Sequence, residues 1–169
     1  PCISMNIVLI GYRGAGKSTV GSRLAMRMGK GFVDTDDLVE ERQGASIRDI
    51  VKSNGWGHFR AAEKRIIEEV SRKDNLIIAP GGGAVLDPEN VRALRENGLI
   101  IWLKADREVL CRRIGHDSRS DARRPTLTGK GALEEFAEVM ASRNPFYERA
   151  ADAEIDTSGL DVEEVIGAV

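Results

Sequence analysis

The stretch that decides how this chain folds is Gly11–Thr19, which reads GYRGAGKST. It matches the phosphate-binding pattern G-x-x-x-x-G-K-[ST] in full. The apolar run Asn6–Ile10 (NIVLI) comes before it, and Lys17–Met28 follows with apolar residues at helical spacing. Strand, glycine loop and helix are the context in which this motif binds phosphate, so the sequence predicts a nucleoside triphosphate site with Mg²⁺.

The residue types in this loop suit that chemistry. Glycines let the backbone wrap closely around phosphate, and the N–H groups at the start of the helix then hold its oxygens. Lys17 is expected to reach the β- and γ-phosphates, and Ser18 to ligate Mg²⁺. The expected nucleotide-binding residues of the loop are Gly11, Gly14, Ala15, Gly16, Lys17, Ser18 and Thr19.

Outward from this loop, short apolar runs alternate with helical patterns along the whole chain. The further predicted strands are Phe32–Val33, Leu76–Ala79, Leu99–Leu103 and Ala153–Ile155. Strands with few polar residues, separated by helices, indicate a parallel sheet that is covered on both faces. We therefore predict an α/β fold of the P-loop NTPase type, in which three α/β/α layers enclose a five-stranded parallel sheet. Residues 1–169 are expected to form one domain.

Three segments with functional residue types each follow a predicted strand, namely Gly11–Ser18, Asp34–Asp36 and Gly81–Gly83. Because ligands bind at the carboxyl ends of the strands in such sheets, these segments are expected to meet in one crevice. Asp34 could hold the hydration shell of Mg²⁺, and Asp36 could point at a substrate hydroxyl. The alternative is that one of them only caps the next helix.

Two further features have a functional and a structural interpretation. Arg60 and Glu63 are three residues apart in a predicted helix, Trp56–Ser71, and so share a face. They form either an anion-binding arginine held by a glutamate or an ordinary solvated pair. The Arg-rich stretch of about residues 115–131 is either a mobile lid that excludes water or a disordered charged loop.

Composition excludes several classes of protein. Lys and Arg total 25 against 27 Asp and Glu, a net charge of −2, so general attraction to nucleic acid or to an anionic membrane is not indicated. Neither a signal peptide nor an apolar run of about 18 residues is visible. Two cysteines and two histidines, without zinc-ligand spacing, argue against a structural metal and fit a cytoplasmic compartment.

The absence of an N-K-x-D guanine-recognition motif argues against a GTPase. A small chain with a phosphate loop and a late Arg-rich segment instead indicates a small-molecule kinase. Two alternatives remain, which are a kinase acting on gluconate or a nucleotide and a regulatory module that binds nucleotide without catalysis. The two carboxylates near Asp34 argue against the second of these.

The chain resembles the shikimate kinase family in a series of motifs, which read in order GYRGAGKSTVGSRLA, VDTDDLVE, FRAAE, PGGGAV, RRP and ASRNPFY. The resemblance implies transfer of the ATP γ-phosphoryl group to the 3-hydroxyl of shikimate, in the pathway to chorismate and the aromatic amino acids. It also implies a substrate-binding helical region at about residues 34–63, a mobile lid at about residues 115–131, and a monomer.

The resemblance also implies a role for individual residues. Lys17, Asp36 and Arg124 are expected to be catalytic, with Arg124 reaching the ATP phosphates from the lid and Arg113 lying beside the adenine. Ser18 and Asp34 are the expected Mg²⁺ residues, and Glu63 is expected to orient Arg60. The implied shikimate-binding residues are Asp36, Phe59, Arg60, Gly81, Gly82, Gly83 and Arg143. Which of Arg119, Arg123 and Arg124 acts from the lid stays open.

Overall fold

Strands and helices alternate along the residues that the computed structural model describes, which are 5–116 and 132–169. The strands are β1 Asn6–Ile10, β2 Gly31–Asp34, β3 Leu76–Ala79, β4 Gly98–Lys104 and β5 Ala153–Asp156. The helices are α1 Lys17–Met28, α2 Thr35–Gln43, α3 Ile47–Ser71, α4 Pro88–Glu96, α5 Arg107–His116, α6 Ala132–Ala150 and α7 Val162–Ala168, with a 3₁₀ turn at Ala84–Leu86.

All five strands are parallel and lie in the order β2-β3-β1-β4-β5. The central strand β1 pairs with β3 on one side, where Ile7 lies opposite Ile77, and with β4 on the other. The predicted fold class is therefore confirmed, and the loops that follow β1, β2 and β3 leave the same edge of the sheet.

Side chains of β1 point alternately into two apolar layers. Val8 and Ile10 pack with residues of α3, α4 and α6 on one face of the sheet. Ile7 and Leu9 pack with residues of α1, α5 and α7 on the other face. All four are at most 8% exposed, which explains why β1 reads as a continuous apolar run.

Helix starts agree with the capping residues in the sequence. The side chains of Ser46, Asp87 and Asp161 each accept a hydrogen bond from a backbone N–H in the first turn of the helix that follows. Helix α3, which follows the Ser46 cap, includes the predicted helix Trp56–Ser71. Its backbone leaves the helical conformation at Gly55 (φ 81°, ψ 168°), so two helical segments join at a kink there.

The stretch Asp34–Asp36, expected to be a loop, contains the start of a helix. The side chain of Asp34 accepts hydrogen bonds from the N–H groups of Asp36 and Asp37, at 3.0 and 3.4 Å. The second helix therefore begins directly at the end of β2, because the strand's last residue also serves as the helix cap.

Most of the predicted lid, residues 117–131, lies outside the described residues. The lid roles of Arg119, Arg123 and Arg124 therefore stay predictions. Within the described ranges, no helix combines the length and the apolar character that crossing a bilayer requires.

Asn6 joins the start of β1 to the turn before β3, which yields a stability prediction. Its amide donates to the carbonyl of Lys73 at 2.7 Å and accepts from the N–H of Leu76 at 2.9 Å, while the residue is 1% exposed. We expect Asn6→Ala to lower the free energy of unfolding by about 2 kcal/mol, because a buried side chain loses two hydrogen bonds to the backbone.

The control for this measurement is Asn97→Ala, which removes a second donor to the same Lys73 carbonyl from a more exposed position. Chemical denaturation should show a loss of about 1 kcal/mol or less for this variant. Equal losses for the two variants would contradict the role given to Asn6.

Candidate active site

A cavity of about 700 Å³ lies at the carboxyl ends of β1, β2 and β3. It brings together parts of the three segments that the sequence predicted would meet, namely the glycine loop, the Asp34–Asp36 stretch and Gly82. Its other walls come from α5 and the region around α7. The residues that line the cavity include Arg13, Gly14, Ala15, Gly16, Lys17, Ser18, Thr19, Asp34, Asp36, Pro80, Gly82, Arg113 and Thr157.

The glycine loop ends at the N-terminus of α1, which faces this cavity. Gly16 occupies the cap position with φ 91°, a left-handed conformation that favours glycine, and no side-chain cap is found among the described residues. A helix N-terminus attracts anions, so this end of α1 suits a phosphate group. The ammonium of Lys17 donates to the carbonyl oxygens of Gly11 and Tyr12, at 2.8 and 3.1 Å, and so lies over the same loop.

Ser18 and Asp34 form the oxygen-rich side of the cavity. The Ser18 hydroxyl donates to Oδ2 of Asp34 at 2.5 Å, while the other carboxylate oxygen caps α2. Burial raises the pKa of Asp34, and the hydrogen bond from Ser18 lowers it in part. A hydroxyl and a carboxylate oxygen at this spacing suit a hard cation such as Mg²⁺, which keeps several water ligands and needs few from the protein. The donor set therefore fits the predicted metal.

Asp36 lies in the first turn of α2 and lines the cavity. The N–H of Asp36 donates to the Asp34 carboxylate, and this hydrogen bond fixes the backbone position of Asp36. Both carboxylates line the cavity, and Asp34 also contacts Ser18 and the start of α2. They are close enough to interact, since the charge of Asp36 contributes to the raised pKa of Asp34.

The glycine segment after β3 is held by hydroxyl groups from two other elements. The N–H of Gly81 donates to the hydroxyl of Thr35 at 3.1 Å, and Thr35 is fully buried. The hydroxyl of Tyr147 in α6 donates to the carbonyl of Gly82 at 2.5 Å, and the Tyr147 ring stacks on Trp102. These two hydrogen bonds hold the segment in place, and Gly82 lines the cavity.

Arg60 lies against the end of the same segment. A Cβ atom added to Gly83 would overlap its guanidinium, so the glycine permits this close approach. The guanidinium also forms an ion pair with Glu63 at 2.5 Å, and the Glu63 side chain is fully buried while that of Arg60 is 32% exposed. The pair predicted from the i, i+3 spacing is present, and it is not an ordinary solvated pair because one partner is buried.

Arg143, on α6, lies close to Gly82 of the same segment. A Cβ atom at Gly82 would be 3.6 Å from its Nη1, and its guanidinium lies over the Tyr12 ring at 5.8 Å from the ring centre. Arg143 is 7% exposed, yet among residues 5–116 and 132–169 it makes no salt bridge. Because a buried charge is costly without a partner, this position suits an anionic ligand.

The other two predicted side chains, Phe59 and Arg113, lie in the core and on the cavity wall, respectively. Phe59 is 1% exposed and lies in the core, where it contacts Trp56 edge-on and supports the Arg60 guanidinium at 5.2 Å. Like Arg60 and Arg143, it is not among the residues that line the cavity, and its contact with a substrate stays a prediction. Arg113 does line it, and its guanidinium donates to the hydroxyl and carbonyl of Thr157 at 3.0 and 2.8 Å.

Thr35 and Tyr147 are site-forming residues that the sequence analysis did not single out. Tyr147 comes four residues after Arg143, so a helix places both on one face, and this spacing was the available signal. Thr35 carried no such signal, because its contact joins residues 46 positions apart along the chain.

Comparison with known proteins gives a consistent result. The family model described as shikimate kinase matches residues 13–169. The chain is 41% identical to the shikimate kinase of Syntrophus aciditrophicus (strain SB), over 97% of this chain and 88% of that protein. It is 42% identical to the shikimate kinase of Symbiobacterium thermophilum, over 98% of this chain and 94% of that protein.

A solved structure is similar over nearly the same length. It is the shikimate kinase from Acinetobacter baumannii in complex with shikimate, with a TM-score of 0.90 and 30% identity. The match covers 97% of this chain and 89% of that one.

The hydrogen bond from Tyr147 to Gly82 leads to a prediction on stability. Tyr147→Phe keeps the ring and its stacking on Trp102 but leaves a buried carbonyl without its donor. We expect the free energy of unfolding to fall by about 1–2 kcal/mol, as measured by chemical denaturation. The matched control is Tyr12→Phe, whose ring is equally buried but whose hydroxyl does not bind the glycine segment. Unchanged stability in Tyr147→Phe would contradict the role of this hydroxyl.

Proposed function

Because the chain belongs to the shikimate kinase family and so transfers the ATP γ-phosphoryl group to the 3-hydroxyl of shikimate, we propose which residues perform the transfer. ATP binds at the glycine loop, and shikimate binds between this loop and the Gly81–Gly83 segment. The observation that carries this assignment is the buried Arg143 beside Gly82, with Arg60 on the neighbouring glycine. Two guanidinium groups at one glycine segment suit the single carboxylate of shikimate.

The phosphate end of the cavity is assigned to the glycine loop. Gly11, Gly14, Ala15, Gly16 and Thr19 belong to the backbone cradle, in which N–H groups hold the phosphate oxygens. Lys17 turns from the carbonyl oxygens of Gly11 and Tyr12 towards the transferring phosphoryl group. Phosphoryl transfer depends mainly on alignment and on neutralising charge over the equatorial oxygens, and a lysine fixed over the loop supplies that charge.

The acceptor end is assigned to Arg60, Arg143 and Asp36, with Glu63 and Phe59 beside them. Arg60 and Arg143 hold the shikimate carboxylate, and Glu63 keeps the Arg60 guanidinium in place through their ion pair at 2.5 Å. Asp36 accepts a hydrogen bond from the reacting hydroxyl and takes its proton as the new O–P bond forms. The bond between the γ-phosphorus and the bridging oxygen of ATP breaks in the same step, and ADP leaves. The N–H groups of Gly81–Gly83 bind the remaining carboxylate and hydroxyl oxygens. Phe59, whose ring centre lies 5.2 Å from the Arg60 guanidinium, is assigned to pack on the shikimate ring beside Arg60.

Mg²⁺ is assigned to the oxygen-rich side of the cavity. The Ser18 hydroxyl would ligate the ion, and Asp34 would hold one of its water ligands. When bound, Mg²⁺ neutralises charge on the β- and γ-phosphate oxygens. Asp34 must be ionised for this purpose, and burial in the ligand-free protein raises its pKa, so cation binding and the ionised form of Asp34 favour one another.

The remaining assignments follow from the same premise. Arg113 lies on the cavity wall beside Thr157, and we assign it to the adenine side. Arg124, outside the described residues, is proposed to reach the ATP phosphates when residues of about 115–131 close over the site. We also propose that the enzyme acts as a monomer in the cytoplasm, where its single described cysteine, Cys111, is free.

Substitution of Arg60 tests the acceptor assignment. Arg60→Ala should raise KM for shikimate about ten- to a hundredfold and leave KM for ATP within about twofold, because one charged hydrogen-bond donor to the carboxylate is lost. Steady-state ADP release with each substrate varied in turn measures both constants. Arg65→Ala is the matched control, since Arg65 is an exposed arginine on the same helix. A rise in KM for ATP alone would contradict the assignment.

The same assay separates this proposal from the alternatives that the sequence left open. The wild-type enzyme with ATP and Mg²⁺ should release ADP with shikimate and not with gluconate or nucleoside monophosphates. Turnover with one of those acceptors and not with shikimate would assign the chain to a different small-molecule kinase. ATP binding with no acceptor-dependent turnover would indicate a regulatory module.

A further inference from the structure

A second cavity, of about 680 Å³, lies away from the active site on the outer side of α4 and α6. We name it the outer pocket. It is bounded by the 3₁₀ turn, by one face of α4 and by the last two turns of α6. Its lining residues are Val85, Leu86, Pro88, Val91, Arg92, Arg95, Glu96, Phe146, Arg149 and Ala150.

The lining of the outer pocket combines an apolar floor with a cationic rim. The floor contains Leu86, which is 39% exposed, together with Val91 and Phe146. Three arginines lie on the rim, against one acidic residue, Glu96. Most ligand sites for small molecules have this character, a largely apolar surface with a few polar groups that fix orientation, and volumes of about 300–1,000 Å³.

The three arginines differ in how much of their hydrogen-bonding capacity is used. Arg95 donates to the carbonyl of Ala150 at 2.7 Å and lies 3.6 Å from a carboxylate oxygen of Asp152. These contacts join α4 to the end of α6, so Arg95 has a structural role. Arg149 donates from Nε to the carbonyl of Pro145, and its guanidinium carbon lies over the Phe146 ring, 4.8 Å from the ring centre.

Arg92 is exposed, and no hydrogen bond or ion pair to it is found among the residues that the structure describes. The terminal nitrogens of Arg149 are likewise outside the described hydrogen bonds, since only its Nε is engaged. The rim therefore offers guanidinium donors that face an apolar floor, and a carboxylate matches such donors in shape and charge.

We propose that the outer pocket binds a small aromatic carboxylate, with the ring on the floor between Leu86 and Phe146 and the carboxylate on Arg92 and Arg149. An aromatic ring fits because Phe146 already carries a guanidinium on one face, and ring contacts at offset or edge-on geometry add to area burial. A neutral ligand would leave the cationic rim unused, and a purely ionic one would leave the apolar floor exposed to water.

This site is connected to the active site by two short paths. The 3₁₀ turn that supplies Val85 and Leu86 is bonded to the glycine segment, with the N–H of Ala84 donating to Gly81 at 2.9 Å and that of Leu86 donating to Gly83 at 3.2 Å. Phe146 directly precedes Tyr147, which holds Gly82. A ligand that moves Leu86 or Phe146 thus changes the position of the segment that holds the shikimate carboxylate, which couples the two sites.

Binding is tested by titrating the full chain with trans-cinnamate in a calorimeter, with shikimate at saturation so that the carboxylate site of the crevice is filled. We expect one saturable site with Kd of about 1 mM or tighter, and binding at least about tenfold weaker for cinnamamide, which lacks the charge. Absence of saturable binding would overturn the proposal, as would equal affinity for cinnamate and cinnamamide.

Variants assign the binding to this pocket. Arg92→Glu should weaken cinnamate binding at least about tenfold and Arg92→Lys about threefold or less, because lysine keeps the charge but not the planar donor pair. The matched control, Arg27→Glu, alters an exposed arginine on α1, across the sheet, and should leave binding unchanged. Unaltered binding in Arg92→Glu would place cinnamate elsewhere and overturn the assignment.

The coupling is measured as the change in KM for shikimate when cinnamate is present, and it rests on the proposed function because it needs turnover. We expect a shift of about twofold or more in wild type and none in Arg92→Glu. An unchanged KM in wild type, with binding intact, would overturn the coupling. Failure of the proposed function is distinguishable, because it would abolish shikimate turnover without altering the difference between wild type and Arg92→Glu in the titration.

Discussion

The pairing of β1 with β3 is the constraint on which the site depends. Their parallel register puts the loop after Ile10 beside the segment after Ala79, because parallel strands end at one edge of the sheet. One loop has the glycines and the helix N-terminus to which we assign the phosphates, and the other has the glycines that admit two arginines. The pairing of β2 with β3 adds the carboxylates of Asp34 and Asp36 to the same edge. The proposed ATP site and acceptor site thus meet because three strands are parallel neighbours.

Two charged side chains are buried around the glycine segment, at the edge where these strands end. Glu63 is fully buried and Arg143 nearly so, and moving such groups out of water costs several kcal/mol each unless partners compensate. Apolar residues of similar volume would give an equally stable core. What the charges provide instead is a pair of fixed guanidinium groups, one held by Glu63 and one lying over the Tyr12 ring. Preorganised groups of this kind reduce the entropy lost when a substrate binds.

Much of this could be predicted from the sequence. The apolar run before Gly11 and the complete phosphate motif specify local structure through short-range physics, so the sheet and the helix after the glycine loop were predicted correctly. Whether Asp34 holds a cation or only caps the next helix was left open, and the structure shows that it is the cap of α2. The substrate contact of Phe59 came from the family resemblance and stays a prediction. The bonds from Thr35 and Tyr147 to the glycine segment join residues 46 and 65 positions apart, which no local pattern reveals.

The central claim is that one crevice holds phosphate at Lys17 and the acceptor carboxylate at Arg60 and Arg143. A crystal structure of this protein with ADP and shikimate tests it most directly. The account predicts that the shikimate carboxylate lies about 3 Å from both guanidinium groups, with the reacting hydroxyl facing Asp36 and the β-phosphate on the N–H groups of the glycine loop. A carboxylate bound away from both arginines, or a hydroxyl facing away from the phosphate, would contradict it.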